Sequence, residues 1–485
     1  MAFVCPHCLT ALTGKFARSR CPFCGCILPV EALPTPAARG AKKTRPTAAK
    51  GEPGPLSAAE YNQRGLNLAK RGYYAAAIKE FNEALHRAPH FAKAFNNRGY
   101  ARSACKEYDL AIADFTQAIQ LAADFAAAYN NRGLAYMAKQ AYAEARADFE
   151  KALSLDPTMT LALLNRGFAQ AALGEYPFAL VDLNEALQRA PRLANAYHNR
   201  GFVHGVLGDF DLALADYDTE IRLAPQRAVA YYSRGFIRMM RGDTEPALAD
   251  LTEAIRLQPD LATAYYVRGD LRRARGEYDQ AIDDFTQALA IAPHFVLAIY
   301  HRGETYLEKG ALEPAIADYT EVVRQKPDWA ITYVCRGRAH AANRDLDRAS
   351  ADFTRAIELD PRNLQAYHER GLVWLELKDY DQAVVDHLEA IRRAPTAPEA
   401  HDNFARYWLL CPELHNAESA FELATRACEL SFWEDWKFLE TLAAACAATG
   451  RSAEAVQWAE KALALAPARA KAGVRAQLTE YQGRH

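Results

Sequence analysis

At 485 residues, half of them hydrophobic and 24% charged, the chain has room for about three ordinary domains or one long repeat array, and its balance excludes a disordered or membrane-embedded protein. No apolar run approaches transmembrane length, and Met1-Ala2-Phe3-Val4-Cys5-Pro6 lacks the basic and apolar regions of a secretory leader, so a cytoplasmic protein without a membrane partner is expected. The net charge of -2 is unevenly placed: residues 1–56 hold eight Lys or Arg against Glu31 and Glu52, a local +6, which leaves -8 for the rest.

Half of the ten cysteines fall within the first 26 residues, which points to a metal and away from a disulfide framework. Cys5-Pro6-His7-Cys8 and Cys21-Pro22-Phe23-Cys24-Gly25 form two Cys-Pro-x-Cys knuckles separated by twelve residues. Four thiolates at this spacing suit tetrahedral zinc, and a lobe shorter than about 40 residues generally needs a metal to stay folded. The pattern resembles a short zinc ribbon over residues 1–30, which implies a closed, structural zinc site on Cys5, Cys8, Cys21 and Cys24. The second knuckle is also similar to that of rubredoxin, so iron is the alternative. His7 and Cys26 are spare donors beside the knuckles. Residues 31–56, rich in Pro, Ala and Gly with Lys42, Lys43, Arg45 and Lys50, read as a flexible basic linker. Its charge is either simple solvation or, together with the ribbon, a contact for nucleic acid.

From residue 58 onward the chain is periodic. Arg-Gly recurs every 34 residues from Arg64-Gly65 to Arg370-Gly371, ten copies in register. With each unit numbered so that this Gly is its eighth residue, units begin at 58, 92, 126 and so on to 364. Residue 20 is then Ala in all ten, from Ala77 to Ala383, and residue 32 is Pro in nine, the exception being Ala123. A Gly facing an Ala lets two helices approach closely, and the proline ends the second helix. Two apolar-periodic stretches of helical length, split by a glycine such as Gly72, Gly174 or Gly310, make each unit a helix-turn-helix. Ser57-Ala58-Ala59-Glu60 reads as a capping box opening the first helix.

Small residues at 8, 20 and 27, an aromatic at 24 (Phe81, Phe115, Phe149, Phe285, Phe353) and proline at 32 resemble the tetratricopeptide repeat, without a gap over ten regular units in residues 57–397. The resemblance implies an all-α protein, a right-handed α-solenoid of about twelve helix-turn-helix repeats whose first helices line a concave groove. Residues 398–435 read as a lengthened, degenerate unit with Phe404 and Ala405 in the Arg-Gly slots, 436–468 as the last unit, and 469–485 as a polar capping helix. The stretch from Ala424 to Leu442 is similar to the closing units of bacterial proteins of this kind. One departure is Arg at position 7, matched by an acid at position 23 from Glu80 to Asp386, which predicts an ion pair between the two helices of every unit. Partly exposed pairs contribute about 0–1 kcal/mol each, so this ladder is expected to fix helix register.

Positions 2, 5, 6, 9, 12 and 13 of the first helices share one face. Position 6 reads Asn97, Asn131, Asn165 and Asn199, and position 5 adds Asn62, Asn96 and Asn130. This is similar to the asparagine ladder in the repeat superhelix of O-linked N-acetylglucosamine transferase, which implies amides that hold the backbone of an extended peptide; bonds to the neighbouring unit's helix are the structural alternative. Each bond nets about 0.5–1.5 kcal/mol and association costs at least about 4 kcal/mol, so four amides need apolar help. Phe168, Phe202 and Phe236 at position 9 and Tyr232, Tyr266 and Tyr300 at position 5 are the candidates, with packing between units as their alternative role. Further along, Asp270, Glu304 and Arg338 make the face charged. No nucleophile-base pair, phosphate loop or open metal site is visible, and the thirteen histidines are scattered. The sequence therefore predicts a non-catalytic scaffold binding a protein or extended peptide, with a nucleic-acid adaptor as the alternative.

Overall fold

The computed structural model describes residues 56–410 and 416–483, together with two short strands as backbone alone. Those strands, β1 (Phe3–Val4) and β2 (Ala11–Leu12), pair antiparallel with Phe3 opposite Leu12. The four knuckle cysteines, the linker up to residue 55 and the Cys411-Pro412 break lie outside the described residues. All else that is described is helical: twenty-five helices of thirteen or fourteen residues, from Ala58–Lys70 to Lys471–Gly483.

Each repeat begins with a helix such as Ala58–Lys70 or Ala126–Ala138 and continues with a second such as Tyr74–Arg87 or Tyr142–Leu155. The first of them opens on the expected capping box: the Glu60 amide donates to Ser57 Oγ and the Ser57 amide to the Glu60 carboxylate. The turn between paired helices requires one left-handed residue. Glycine fills it in six of the ten regular repeats, from Gly72 (φ +81°) to Gly310 (φ +82°), while Lys106, Gln140, Arg344 and Lys378 adopt φ of 61–64° in the others. There the Tyr73 amide reaches back to the Leu68 carbonyl, as Glu107 does to Arg102, which satisfies carbonyls that a helix end leaves open.

The glycine at position 8 faces the second helix of its own repeat, but its neighbour is the ring at position 24 more than the alanine at 20. A Cβ on Gly65 would stand 2.5 Å from Phe81, on Gly133 2.7 Å from Phe149 and on Gly337 2.7 Å from Phe353. The glycine is thus the socket for the largest core side chain, and the alanine at 20, buried in every regular repeat, keeps the backbones close enough for it to fit.

The predicted ladder of ion pairs forms. In the nine repeats from Arg98 to Arg370, Nε and Nη2 of the arginine donate to the two oxygens of the aspartate sixteen residues on, at 2.5–3.0 Å. These carboxylates are buried, Asp114 being 3% exposed, so the pairs are bidentate and desolvated, stronger than surface pairs. Only the first, Arg64 to Glu80 at 3.7 Å, is of the surface kind. The arginine's third nitrogen reaches into the preceding repeat: Arg98 Nη1 donates to Asn82, Arg132 to Thr116, Arg200 to Asn184 and Arg370 to Thr354. One guanidinium therefore fixes both the hairpin and its stacking on the last.

The chain divides into two compact units, Met1–Phe295 and Val296–His485. The first holds repeats 1–7, with Phe81, Phe115, Phe149, Leu183, Tyr217, Leu251 and Phe285 as its column of buried position-24 side chains. The second holds eleven helices. Its largest core cluster joins Leu439, Leu442, Cys428 and Cys446 to Val474, Leu478 and Tyr481 of the last helix, and Trp433 stacks on Trp458 at 4.9 Å. Leu442 and Trp458 occupy the places of the missing Arg and Asp of that repeat, and both belong to this apolar cluster.

Candidate functional site

Position 6 lies two residues, about 200°, from the glycine that faces the second helix, so it points away from the hairpin's own core. Within the unit Met1–Phe295 this outer face of the first helices is chemically uniform. From repeat 2 to repeat 6, positions 6, 9, 12 and 13 carry Asn or Ser, then Tyr, Leu or Phe, then small, Val or Met side chains, with no charge among them from Asn97 to Met240; Lys93, at position 2 of repeat 2, is the one charge on the face. The described residues on it are mostly half-buried, with Leu161, Val206 and Met240 exposed at 47%, 41% and 53%.

Six of the seven candidate asparagines are brought together, and they bond to one another. Asn97 Nδ2 donates to Asn62 Oδ1 at 2.9 Å, Asn131 to Asn96 at 3.0 Å and Asn165 to Asn130 at 3.3 Å. Asn62, Asn96 and Asn130 are buried by this arrangement, while Asn97, Asn131 and Asn165 stay half-buried at the surface. The pairing joins consecutive repeats through side chains, where contact with the neighbouring backbone was the sequence-based alternative. Asn199 has Leu164 opposite it and makes no hydrogen bond among the described residues.

The aromatic candidates separate. Phe168, Phe202 and Phe236 are half-buried on the face; Phe168 stands edge-on to Tyr142, and Phe202 and Phe236 lean on the cores beneath them. Tyr232 is 2% exposed and Tyr300 8%, so both belong to the packing between helices and not to the surface. Tyr266 is half-buried against Phe285 and Phe295, its ring 4.9 Å from the latter. At Tyr232 and Tyr300 position 5 turns inward against the next repeat's first helix, where Tyr232 packs with Ala264 and Val267 and the Tyr300 hydroxyl stands 3.3 Å from Cys335 Sγ. That explains why these tyrosines do not line the face.

A polar cluster that sequence reasoning passed over lies under repeats 5 and 6. Glu220, fully buried, sits at position 27, where most repeats have Ala. Its Oε2 is 2.9 Å from His198 Nδ1, and Arg227 stands 3.1 Å from Oε1, close enough for attraction without the alignment of a hydrogen bond. Arg227 also donates to Asn195. The signal was present: one Glu interrupts a column of Ala84, Ala118, Ala152, Ala186, Ala254 and Ala288.

The face ends in charge at repeat 7, where Asp270 and Arg273 pair at 3.1 Å. In the unit Val296–His485 the equivalent face carries charge in repeats 8–10: His301 lies 3.0 Å from Glu304 and Arg338 3.3 Å from Glu369, while Glu376 meets Arg344, in the turn of the preceding repeat, at 2.6 Å. The last two pairs rim a cleft of about 360 Å³ floored by Leu346, Leu372 and Val373, and burial pushes the Glu369 carboxyl up from its usual range. Among the described residues no group of three or more His, Cys, Asp or Glu is placed to hold a metal, and no helix is long and apolar enough to cross a membrane.

Comparison with curated protein sequences finds no match. Among solved structures, the chain is similar to a tetratricopeptide repeat protein from Parabacteroides merdae, at 19% identity over 50% of this chain and 98% of that one with a TM-score of 0.43. It is similar also to YrrB, described as a TPR protein with an unusual peptide-binding site, at 27% identity over 39% and 97% of the two chains with a TM-score of 0.33. Yeast Tom70 matches at 15% identity over 88% and 96%, with a TM-score of 0.36. Family profiles described as tetratricopeptide repeat match residues 92–125, 126–159, 262–295, 297–328 and 336–398. The chain carries tetratricopeptide repeats.

Proposed function

We propose that the chain is a non-catalytic scaffold that holds an extended, uncharged and largely apolar segment of a partner protein along the first-helix face of repeats 2–6. Tetratricopeptide repeats are typical of protein-protein interaction scaffolds. The observation that carries this reading is the run from Asn97 to Met240, which places amides beside Tyr100, Leu134, Phe168, Phe202 and Phe236 and contains no charge at positions 6, 9, 12 and 13 over five repeats. A solvated surface of that length normally carries charges. A face that instead offers apolar side chains for burial and amides for backbone groups suits a peptide that has little charge to desolvate.

The test is selection of random twelve-residue peptides displayed on phage against the whole chain. Enriched sequences are expected to be uncharged and apolar. Leu161→Lys and Val206→Lys, both at exposed positions that tolerate a charge without unfolding, are each expected to weaken the selected peptides at least tenfold. Enrichment of charged peptides, or binding indifferent to both lysines, refutes the assignment.

The proposal extends to the N-terminal cysteines on their spacing alone: Cys5, Cys8, Cys21 and Cys24 hold one structural zinc ion. One zinc per chain, lost in the double variant Cys5→Ser and Cys8→Ser, is the expected result of elemental analysis, and iron in its place would reassign the site. The adaptor reading of the basic head concerns residues outside those described.

A further inference from the structure

We infer that selectivity along this face is concentrated in repeat 5, at Asn199 and His198, and that these two read one uncharged hydrogen-bonding residue of the bound segment; the inference rests on the peptide-binding role proposed above. The amide row looks continuous in sequence but is unequal in structure. Asn97, Asn131 and Asn165 are each engaged with an asparagine of the preceding repeat at 2.9–3.3 Å, which ties consecutive first helices together, fixes the orientation of each amide and uses one of its two N–H donors. Asn199 has no such partner, because position 5 of repeat 4 is Leu164. With no hydrogen bond among the described residues, both its carbonyl and its NH2 are available to a ligand.

The residue beside it is set up independently. His198 is held through Nδ1 by Glu220, and the carboxylate accepts the Nδ1 proton. In the neutral ring this leaves Nε2 as an acceptor, with no partner among the described residues, and the side chain retains 12% exposure at the surface. A buried carboxylate is costly unless paired, and well-packed apolar side chains in its place are often neutral or stabilising. Here Ala would complete the column. Instead two departures from the repeat pattern, Glu220 at position 27 and Arg227 at position 34, meet His198 at position 5 in one inter-repeat junction, and Arg227 in turn orients Asn195, one turn before Asn199. The junction thus sacrifices apolar packing to fix an imidazole acceptor next to a free amide, flanked by Phe168 and Phe202. The matching ligand residue is neutral and donates through N–H or O–H, as Asn, Gln, Ser or Thr does.

The experiment uses the strongest peptide from the phage selection, labelled for fluorescence anisotropy, and the whole chain with thermal melting as control. Asn199→Ala is expected to weaken it at least tenfold with the melting midpoint unmoved. His198→Phe is expected to weaken it similarly, and His198→Gln, which keeps an acceptor, to restore part of the loss. Asn131→Ala, which also breaks the bond to Asn96, is expected to lower the midpoint and to weaken the peptide clearly less than Asn199→Ala does. Selected peptides should share one Asn, Gln, Ser or Thr. Equal losses for Asn131→Ala and Asn199→Ala, or a consensus without such a residue, overturn the inference while leaving peptide binding intact. A chain that enriches no peptide overturns both.

Discussion

Two residues show how burial changes the meaning of a familiar side chain. Asp114 accepts from Nε and Nη2 of Arg98 and from Arg102, and almost none of it meets water. Asp114→Ala leaves two guanidinium groups facing an apolar gap, for which about 3–5 kcal/mol is the ordinary cost. Glu80→Ala removes the equivalent acid of repeat 1, whose arginine is 57% exposed and 3.7 Å away, and is expected to cost at most about 1 kcal/mol. Urea melts of the two variants should separate them clearly; equal midpoints would mean that the buried pairs add no more than surface ones. His387 is the opposite case. It takes the position-24 socket against Gly371, stacks on Phe404 at 5.2 Å, and neither ring nitrogen has a partner among the described residues. Burial, with the neighbouring His368 adding to it, lowers its pKa to about 3 from an ordinary 6.5. The unfolded chain therefore takes up a proton below about pH 6.5 that the folded chain refuses until about pH 3, so stability falls as pH falls through that window, by up to about 1.4 kcal/mol per unit. His387→Phe, the residue that five other repeats use, should raise the melting midpoint at pH 8 and raise it further at pH 5. An equal gain at both pH values would show that the ring is solvated.

At the scale of the element, the turn between paired helices makes its own demand. A left-handed residue costs roughly 1–2 kcal/mol when it carries a Cβ and nothing when it is glycine. Gly174→Ala, at φ +79° with open space around the missing Cβ, should therefore lose about 1 kcal/mol through backbone strain alone, and Lys378→Gly, at φ +61°, should gain a few tenths after the unfolded chain's extra freedom is subtracted. Hydrogen exchange in the flanking helices is the sensitive probe, and a null result at both positions would place the strain elsewhere. These turns, like the hairpins themselves, were legible because a 34-residue period repeated ten times exposes every fixed position. The arginine-aspartate pairs were legible for the same reason, being sixteen residues apart in each copy. Contacts between copies were legible only as alternatives, without their partners. Asn97 to Asn62 spans one period plus one residue, so the eye aligning columns sees two separate asparagine columns and no bond. The acceptors for the third arginine nitrogen, Asn82, Thr116, Asn184 and Thr354, form a polar column at position 25 whose reason appears only once the preceding hairpin is stacked against it. Tyr232 and Tyr300 failed as surface residues on the same account: a single repeat leaves position 5 open, and the next repeat closes it.

At the scale of the whole molecule, each hairpin within a compact unit touches mainly its neighbours, which implies that stability is a sum of local terms, so damage at one end should stay there. The last helix, Lys471–Gly483, is the place to test it. Val474, Leu478 and Tyr481 recur at spacings of four and three residues, form one apolar stripe, and close the cluster containing Ala459, Ala462 and Ala466. Burial of three such side chains is worth at most about 9 kcal/mol, since each contributes roughly 1.5–3 kcal/mol and the unfolded chain already covers part of that surface. Val474→Asp with Leu478→Asp should release this helix and expose the faces of Trp436–Ala448 and Ser452–Leu465. Amide protection in those two helices is then expected to collapse, that of Ala417–Leu430 to weaken, and that of repeats 1–5, in the other compact unit, to remain within error of the parent. Loss of protection spread evenly along the chain would instead make the array a single cooperative body, in which a peptide held at repeat 5 would stabilise the far end as much as its own hairpin.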